Sequence, residues 1–103
     1  MTAANDVPTP DPDRIALAVE AVPGVARLHG GRFGEVATYL PGRRVTGVQV
    51  GEQRIAVHVV AHWGPPLPEL AAAIRRVVRP LAGMLPVDIT IEDLLISGSA
   101  KTP

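Results

Sequence analysis

The stretch RIAVHVVAHW, residues 54–63, carries an apolar side chain at every second position. These positions are Ile55, Val57, Val59 and Ala61. A two-residue period is typical of a β-strand that buries one face, because successive side chains of a strand point to opposite sides. VTGVQV, just upstream, alternates in a similar way and is separated from this stretch by GEQ, so the two predict a hairpin. Any fold of this chain must cover one face of that hairpin.

Two amphipathic helical patterns can supply the cover. The first begins at Asp11, because an aspartate caps a helix and Pro12 suits its first position; Pro23-Gly24 ends it. The second opens at GPPLPEL, and Pro80 should kink or finish it because proline lacks a backbone donor. The apolar positions are Ile15, Ala18, Val19 and Val22 in the first helix and Leu67, Leu70, Ala71, Ile74, Val77, Val78 and Leu81 in the second.

The segments between these elements predict shorter strands and turns. VARLH is a short strand, GGRFG a connection, EVATYL a weak strand or one helical turn, PGRR a turn, and VDITIED with LLIS a closing strand. The order predicts an α+β fold, a two-layer sandwich with two helices on one face of a mostly antiparallel or mixed sheet of roughly three to five strands. We expect a disordered lead over residues 1–10, one domain over 11–97 and a tail over 98–103.

Composition excludes several classes of function. The chain has no cysteine, which excludes disulfides, thiolate chemistry and cysteine-ligated metal sites. Ten basic residues balance ten acidic ones, so no net charge draws the protein to nucleic acid or anionic lipid. The first residues show neither the basic region nor the apolar run of a signal peptide, so we expect none, and no apolar run reaches the roughly 20 residues of a membrane span. We therefore expect a cytoplasmic protein that has no membrane span and reaches the inner face of the membrane only through a partner.

Four residues are the candidates for a partner-binding surface. Trp63 ends the hairpin just before a glycine; it is either a lid over the end of the core or an exposed anchor for a partner, a role in which tryptophan is enriched. Arg75, Arg76 and Arg79 put three positive charges on about one helical turn. They form a solvated face, a contact for an acidic partner or anionic lipid, or partners of the acidic residues of the closing strand, within the fold or in a second subunit. These acidic residues are Asp88, Glu92 and Asp93.

A glycine-rich loop carries the alternative function. Gly31 and Gly34 in GRFG match the GxxG pattern with which K-homology domains clamp a nucleic-acid backbone, and Arg32, Arg43 and Arg44 lie near it in sequence. That clamp joins two helices, whereas the residues before this loop favour a strand. We therefore favour a plain loop between strands, and the backbone of residues 25–40 discriminates between the two.

Catalytic and metal chemistry have little support. His58 and His62 lie on one strand face about 13 Å apart, too far to share one metal ion, and His29 would have to fold beside one of them. We expect these histidines on the solvated face of the sheet. No nucleophile lies in a pattern with a histidine and a carboxylate. The chain is predicted to be no enzyme and to hold no metal or cofactor.

Taken together, several segments resemble the alkaline shock protein family, the general-stress proteins of Gram-positive bacteria. The matching segments are RIALAVEAVPGVARLHG, GVQV, RIAVHVVAHWGPPLPELAAAIRRVV and MLPVDITIEDLLI, and the resemblance covers roughly residues 13–96. In that family a helix ends in a Pro-Gly-Val join, a strand runs into an aromatic-glycine pair, and a valine-rich strand closes the domain. Here the aromatic-glycine pair is Trp63-Gly64.

The resemblance implies a non-enzymatic binding or scaffolding module linked to cell-envelope stress. It implies protein partners, either a small integral membrane protein or a paralogue, together with self-association. Binding of nucleic acid is not expected. The Pro-Gly-Val join would be structural, since Gly24 permits a reversal and Val25 packs under the helix just finished. The chain departs from the family in lacking a strand before the first helix, and Pro80 interrupts a helix that usually runs on.

Overall fold

The computed structural model describes residues 9–96. The lead expected over residues 1–10 and the tail expected over 98–103 lie outside the described residues, apart from Thr9 and Pro10. The helices are α1 (Pro12–Glu20) and α2 (Leu67–Val78), and the strands are β1 (Val25–Leu28), β2 (Ala37–Leu40), β3 (Arg43–Thr46), β4 (Val48–Val50), β5 (Ile55–His62) and β6 (Val87–Leu95).

Strand β5 is the centre of a four-stranded mixed sheet. Strand β6 runs parallel to it along its whole length, from Ile55 beside Val87 to His62 beside Leu95. The other side of β5 is shared by two antiparallel strands placed end to end. Strand β4 pairs with residues 55–57 and β1 with residues 59–61. The hairpin predicted between the two alternating stretches is confirmed as β4 and β5.

Both helices lie on one face of this sheet, as the apolar patterns predict. Ile15 of α1 and Ile74 of α2 are fully buried and pack with Val57 and Val59 of β5. The core cluster is built from valine, isoleucine, leucine and alanine and contains no aromatic residue among the described ones. The two-layer α+β sandwich is therefore confirmed. Neither described helix has the length and apolar character of a membrane-spanning segment.

The helix boundaries follow the predicted signals. The side chain of Asp11 accepts a hydrogen bond from the Asp13 amide and caps α1, with Pro12 at its first position. At the Pro-Gly-Val join Gly24 has a φ of 101°, a conformation that favours glycine, and Val25 is buried in the core. The join is structural, as expected. Pro80 ends α2 in a single 3₁₀ turn over Arg79–Leu81.

Two sequence-based predictions about the sheet, the strand VTGVQV and the turn PGRR, are wrong in detail. VTGVQV does not form one strand, because Gly47, with a φ of 87°, divides it into the end of β3 and the whole of β4. EVATYL is a strand and not a helical turn, and it pairs with β3 in a separate two-stranded sheet. In PGRR only Pro41 and Gly42 form the turn, because Arg43 and Arg44 are the first residues of β3. Residues 30–46 are thus an excursion between β1 and β4, which together line one side of β5.

The hydroxyl of Thr38 joins this excursion to the main sheet. It donates to the Val48 carbonyl at 2.6 Å and accepts from the Val50 amide at 2.9 Å, so one side chain takes the place of a strand partner for β4. We expect Thr38→Val, which keeps the shape and removes the hydroxyl, to lower the free energy of unfolding by about 1–3 kcal/mol. Thr38→Ser is the matched control and should cost about 0.8 kcal/mol or less, the value of one methylene. Urea unfolding measures both, and equal costs would contradict this account.

Candidate functional site

Trp63 is exposed to solvent and directly follows the last residue of β5. Its side chain is 66% exposed, although its backbone amide donates to the Leu95 carbonyl of β6 at 2.9 Å. A lid over the core would be mostly buried and would pack against the core residues, which Trp63 does not do. The lid interpretation is therefore wrong, and the indole is an exposed group on an ordered backbone.

The residues around Trp63 form one apolar surface, here called the Trp63 surface. It encloses a shallow depression of about 240 Å³, lined by Trp63, Gly64, Pro65, Pro66, Leu67 and Leu94. Two further apolar side chains follow on β6 and beyond it, Leu95 at 39% and Ile96 at 53% exposed. Pro65 and Pro66 follow the strand and could not continue a sheet ladder, because proline has no amide donor. Exposed apolar side chains grouped in this way mark interaction sites more often than scattered ones do.

Arg75, Arg76 and Arg79 do not join this surface. Arg79 begins the 3₁₀ turn that follows α2 and lies about 18 Å along the axis from Leu67, at about 1.5 Å per residue. Its guanidinium donates to the carbonyls of Gly83 and Leu85 and holds the loop before β6. Arg75 and Arg76 are exposed and form no ion pair within residues 9–96. The candidate set is therefore two separate places, the Trp63 surface and Arg75 with Arg76, which have no ion-pair partner in the described part of the chain.

The acidic residues of β6 are not the mates of these arginines. Asp88 pairs with Arg54 at 2.8 Å, and Glu92 binds the Nδ1 atom of His58. Asp93 accepts a hydrogen bond from the Leu94 amide at 2.8 Å. Within the described part of the chain, the hypothesis of an internal pairing between α2 and the acidic strand end is wrong.

The Gly31–Gly34 loop joins two strands, β1 and β2, and is not flanked by helices. The context that a K-homology clamp requires is therefore absent over residues 25–40. Of the neighbouring arginines, Arg43 forms an ion pair with Asp13 of α1, and its guanidinium donates two hydrogen bonds of 2.9 and 2.7 Å to that carboxylate. Arg32 and Arg44 are exposed. Beside Arg32 at the tip of the loop, Phe33 is 88% exposed.

The carboxylate of Glu35 accepts hydrogen bonds from the backbone of the loop. Glu35 accepts a hydrogen bond from the Phe33 amide at 3.0 Å. Its pKa is lowered from the ordinary value, first because the carboxylate accepts from its own backbone amide, second because of the Phe33 amide, with smaller contributions from His58 and His29. The charged form is thus the one that fits the folded loop.

Because the pKa of Glu35 is lowered by folding, the free energy of unfolding depends on pH in the acidic range. Since folding lowers the pKa of Glu35 below its ordinary value of 4.5, the contribution of this carboxylate to stability is present above that pH and is lost as the pH falls through the folded-state pKa. We expect Glu35→Gln, which keeps an acceptor oxygen without the charge, to reduce stability at pH 7 and to flatten its decline below about pH 4. Chemical unfolding at a series of pH values measures this, and parallel curves for the two proteins would contradict it.

The histidines do not form a metal site in the described residues. The Nδ1 atom of His29 accepts from the Gly31 amide at 2.9 Å, which puts the proton of the neutral ring on Nε2. His58 is half-buried against Glu92, and His62 lies at the end of β5. No group of three or more side chains of the metal-binding types comes together between residues 9 and 96.

Sequence reasoning overlooked part of the exposed apolar surface. All three aromatic residues are exposed, Phe33 and Tyr39 as well as Trp63, and Met84 is 93% exposed. The sequence pattern assigns Leu94, Leu95 and Ile96 only to an extension of the closing strand, whereas Leu94 lines the depression beside Trp63. The available signal was the scarcity of aromatics in a core that aliphatic residues can fill.

Comparisons of this chain with models of known protein families, with curated proteins and with solved structures found no match.

Proposed function

We propose that this protein is a non-enzymatic binding and scaffolding module that acts through protein partners. The observation that carries the proposal is the Trp63 surface, an ordered and exposed indole beside a depression lined by proline and leucine side chains. A tryptophan buries a large area with few rotatable bonds, so leaving it in water costs more than leaving almost any other side chain there. A partner that covers the surface recovers that free energy.

The resemblance to alkaline shock proteins supports the choice of partner. We propose a small integral membrane protein or a paralogue, with a role in cell-envelope stress, and self-association of the chain. The module would lie in the cytoplasm and be held at the inner face of the membrane by that partner. Arg75 and Arg76, which have no ion-pair partner among residues 9–96, are a second contact suited to acidic groups.

Affinity purification of the tagged chain from gently solubilised native cells tests the proposal. We expect an integral membrane protein or a paralogue to be recovered, and its recovery to be lost with Trp63→Ala. Tyr39→Ala is the matched control, because Tyr39 is 68% exposed against 66% for Trp63 and lies on the β2–β3 hairpin. The two variants remove aromatic groups of similar exposure, so only a specific contact separates them.

Nuclease treatment and salt complete the design. Recovery of RNA-associated proteins that disappear on nuclease treatment would sink the proposal and favour the loop with Gly31, Arg32 and Arg44 as a nucleic-acid site. Equal losses with Trp63→Ala and Tyr39→Ala would also count against it. If Arg75 and Arg76 contribute, their double alanine variant should weaken the complex most at low salt, since exposed charges are screened over about 10 Å at 0.1 M.

A further inference from the structure

The outer edge of β6 is open. Within residues 9–96 this strand pairs with β5 alone, and no strand lies on its other side. The Ile55 amide donates to the Pro86 carbonyl, so the backbone groups of every second residue from Pro86 up to the register shift after Ile91 point toward β5. The backbone groups of Val87, Ile89 and Ile91 therefore point away from the sheet.

The part of the β6 edge that is open to strand pairing ends at Ile91. The register of β6 shifts at the pairing with Val59 and Val60, and beyond that shift the outward amide of Leu94 is occupied by the side chain of Asp93. A side chain that occupies an outward amide limits strand addition at that position. The segment left for pairing is short, residues 87–91, with three outward-facing residues.

We propose that a second copy of this chain pairs with β6 in antiparallel orientation about a two-fold axis at Ile89. The inference deepens the self-association in the proposed function and rests on it. In this register Ile89 lies opposite Ile89, and Val87 of each copy lies opposite Ile91 of the other. These are the outward-facing residues, so about six backbone hydrogen bonds form and the two four-stranded sheets join edge to edge.

The side chains on both faces suit this register. On the helix-facing side the opposed residues are apolar, and Ile89 and Ile91 are only partly buried in the single chain. On the other face Asp88 of one copy lies opposite Thr90 of its mate, so no two like charges are directly opposed. Directly opposed like charges destabilise antiparallel pairs.

Sedimentation velocity over a concentration series tests the pairing. We expect a dimer of the full chain. Thr90→Asp opposes two carboxylates at each of two symmetric places and should weaken the dimer about tenfold, whereas Thr90→Lys should tighten it. Gln49→Asp and Gln49→Lys carry the same charge changes on exposed β4 and should change little. Circular dichroism checks that each variant is folded. A monomer at all concentrations, or equal effects at positions 49 and 90, overturns the inference.

Cysteine cross-linking tests the register itself, since the natural chain has no cysteine. In the proposed pairing, residues 88 and 90 of opposite copies form a non-hydrogen-bonded pair with Cα atoms about 4.5 Å apart, within disulfide range. Like positions are diagonal, about 7–8 Å apart. Mixing Asp88→Cys with Thr90→Cys protein should give the mixed disulfide in preference to either homodimer. Homodimeric disulfides alone would overturn the register, whereas loss of the membrane or paralogue partner with Trp63→Ala would leave the proposed function standing.

Discussion

Gly47→Ala should lower the free energy of unfolding by about 3–5 kcal/mol, combining backbone strain with overpacking. Gly47 has a φ of 87°, which L side chains rarely adopt. A Cβ atom there would lie 2.6 Å from the Cβ of Leu28, 3.0 Å from the His29 amide nitrogen and 3.2 Å from the His58 carbonyl oxygen. Two of these three contacts are backbone atoms of the central sheet, so the clash cannot be relieved by a side-chain rotation. Chemical denaturation measures the loss.

Gly42→Ala separates the two causes. Gly42 has a φ of 76°, close to that of Gly47, but a Cβ atom there meets nothing within 4 Å. We expect this control to cost about 1–2 kcal/mol, the strain of a left-handed backbone alone. Equal costs for the two variants would mean that the junction between β1 and β4 is not packed as described.

Ile74→Ala should destabilise the fold by about 3–4 kcal/mol, because it removes a fully buried side chain from the middle of α2 and leaves a cavity. Ile74 is in the core cluster with Ile15 of α1 and Val57 of β5. The substitution therefore tests whether the two helices and the sheet share one core. Thermal and urea unfolding both report the change.

Leu17→Ala is the matched control for Ile74. It removes a similar aliphatic side chain from a helix, but Leu17 of α1 is 68% exposed. We expect a change within about 0.5 kcal/mol, typical of surface substitutions. A loss at Leu17 as large as that at Ile74 would show that α1 turns a different face to the sheet.

Much of the fold was predictable from local patterns. The two-residue period of β5, the helical stripe of α2, and the Asp11-Pro12 start and Pro23-Gly24 end of α1 rest on neighbouring residues alone. The prediction failed at VTGVQV, because both halves of that stretch favour strands and only pairing decides where each lies. The hydroxyl of Thr38 and the packing around Gly47 make that decision, and both are contacts between distant parts of the chain.

The candidate site shows the same division. Trp63, Arg75 and Arg76 were identifiable as residue types that bind partners, and the length of α2 already separates the first from the other two. The sequence did not reveal that Arg43 and Arg79 are engaged by Asp13 and by loop carbonyls. Long arginine side chains reach acceptors far away in sequence, so their freedom is decided only after folding.

By itself, the sequence determined an α+β sandwich with an aliphatic core, since hydrophobic periodicity and helix signals act over a few residues. Only the tertiary structure decided that Trp63 stays outside that core and that Leu94 and Leu95 lie beside Trp63. It also decided that, within residues 9–96, the outer edge of β6 pairs with no strand. The physical reason is that burial and strand pairing depend on which distant segments come to lie next to each other. A residue's own type and its immediate neighbours do not settle that.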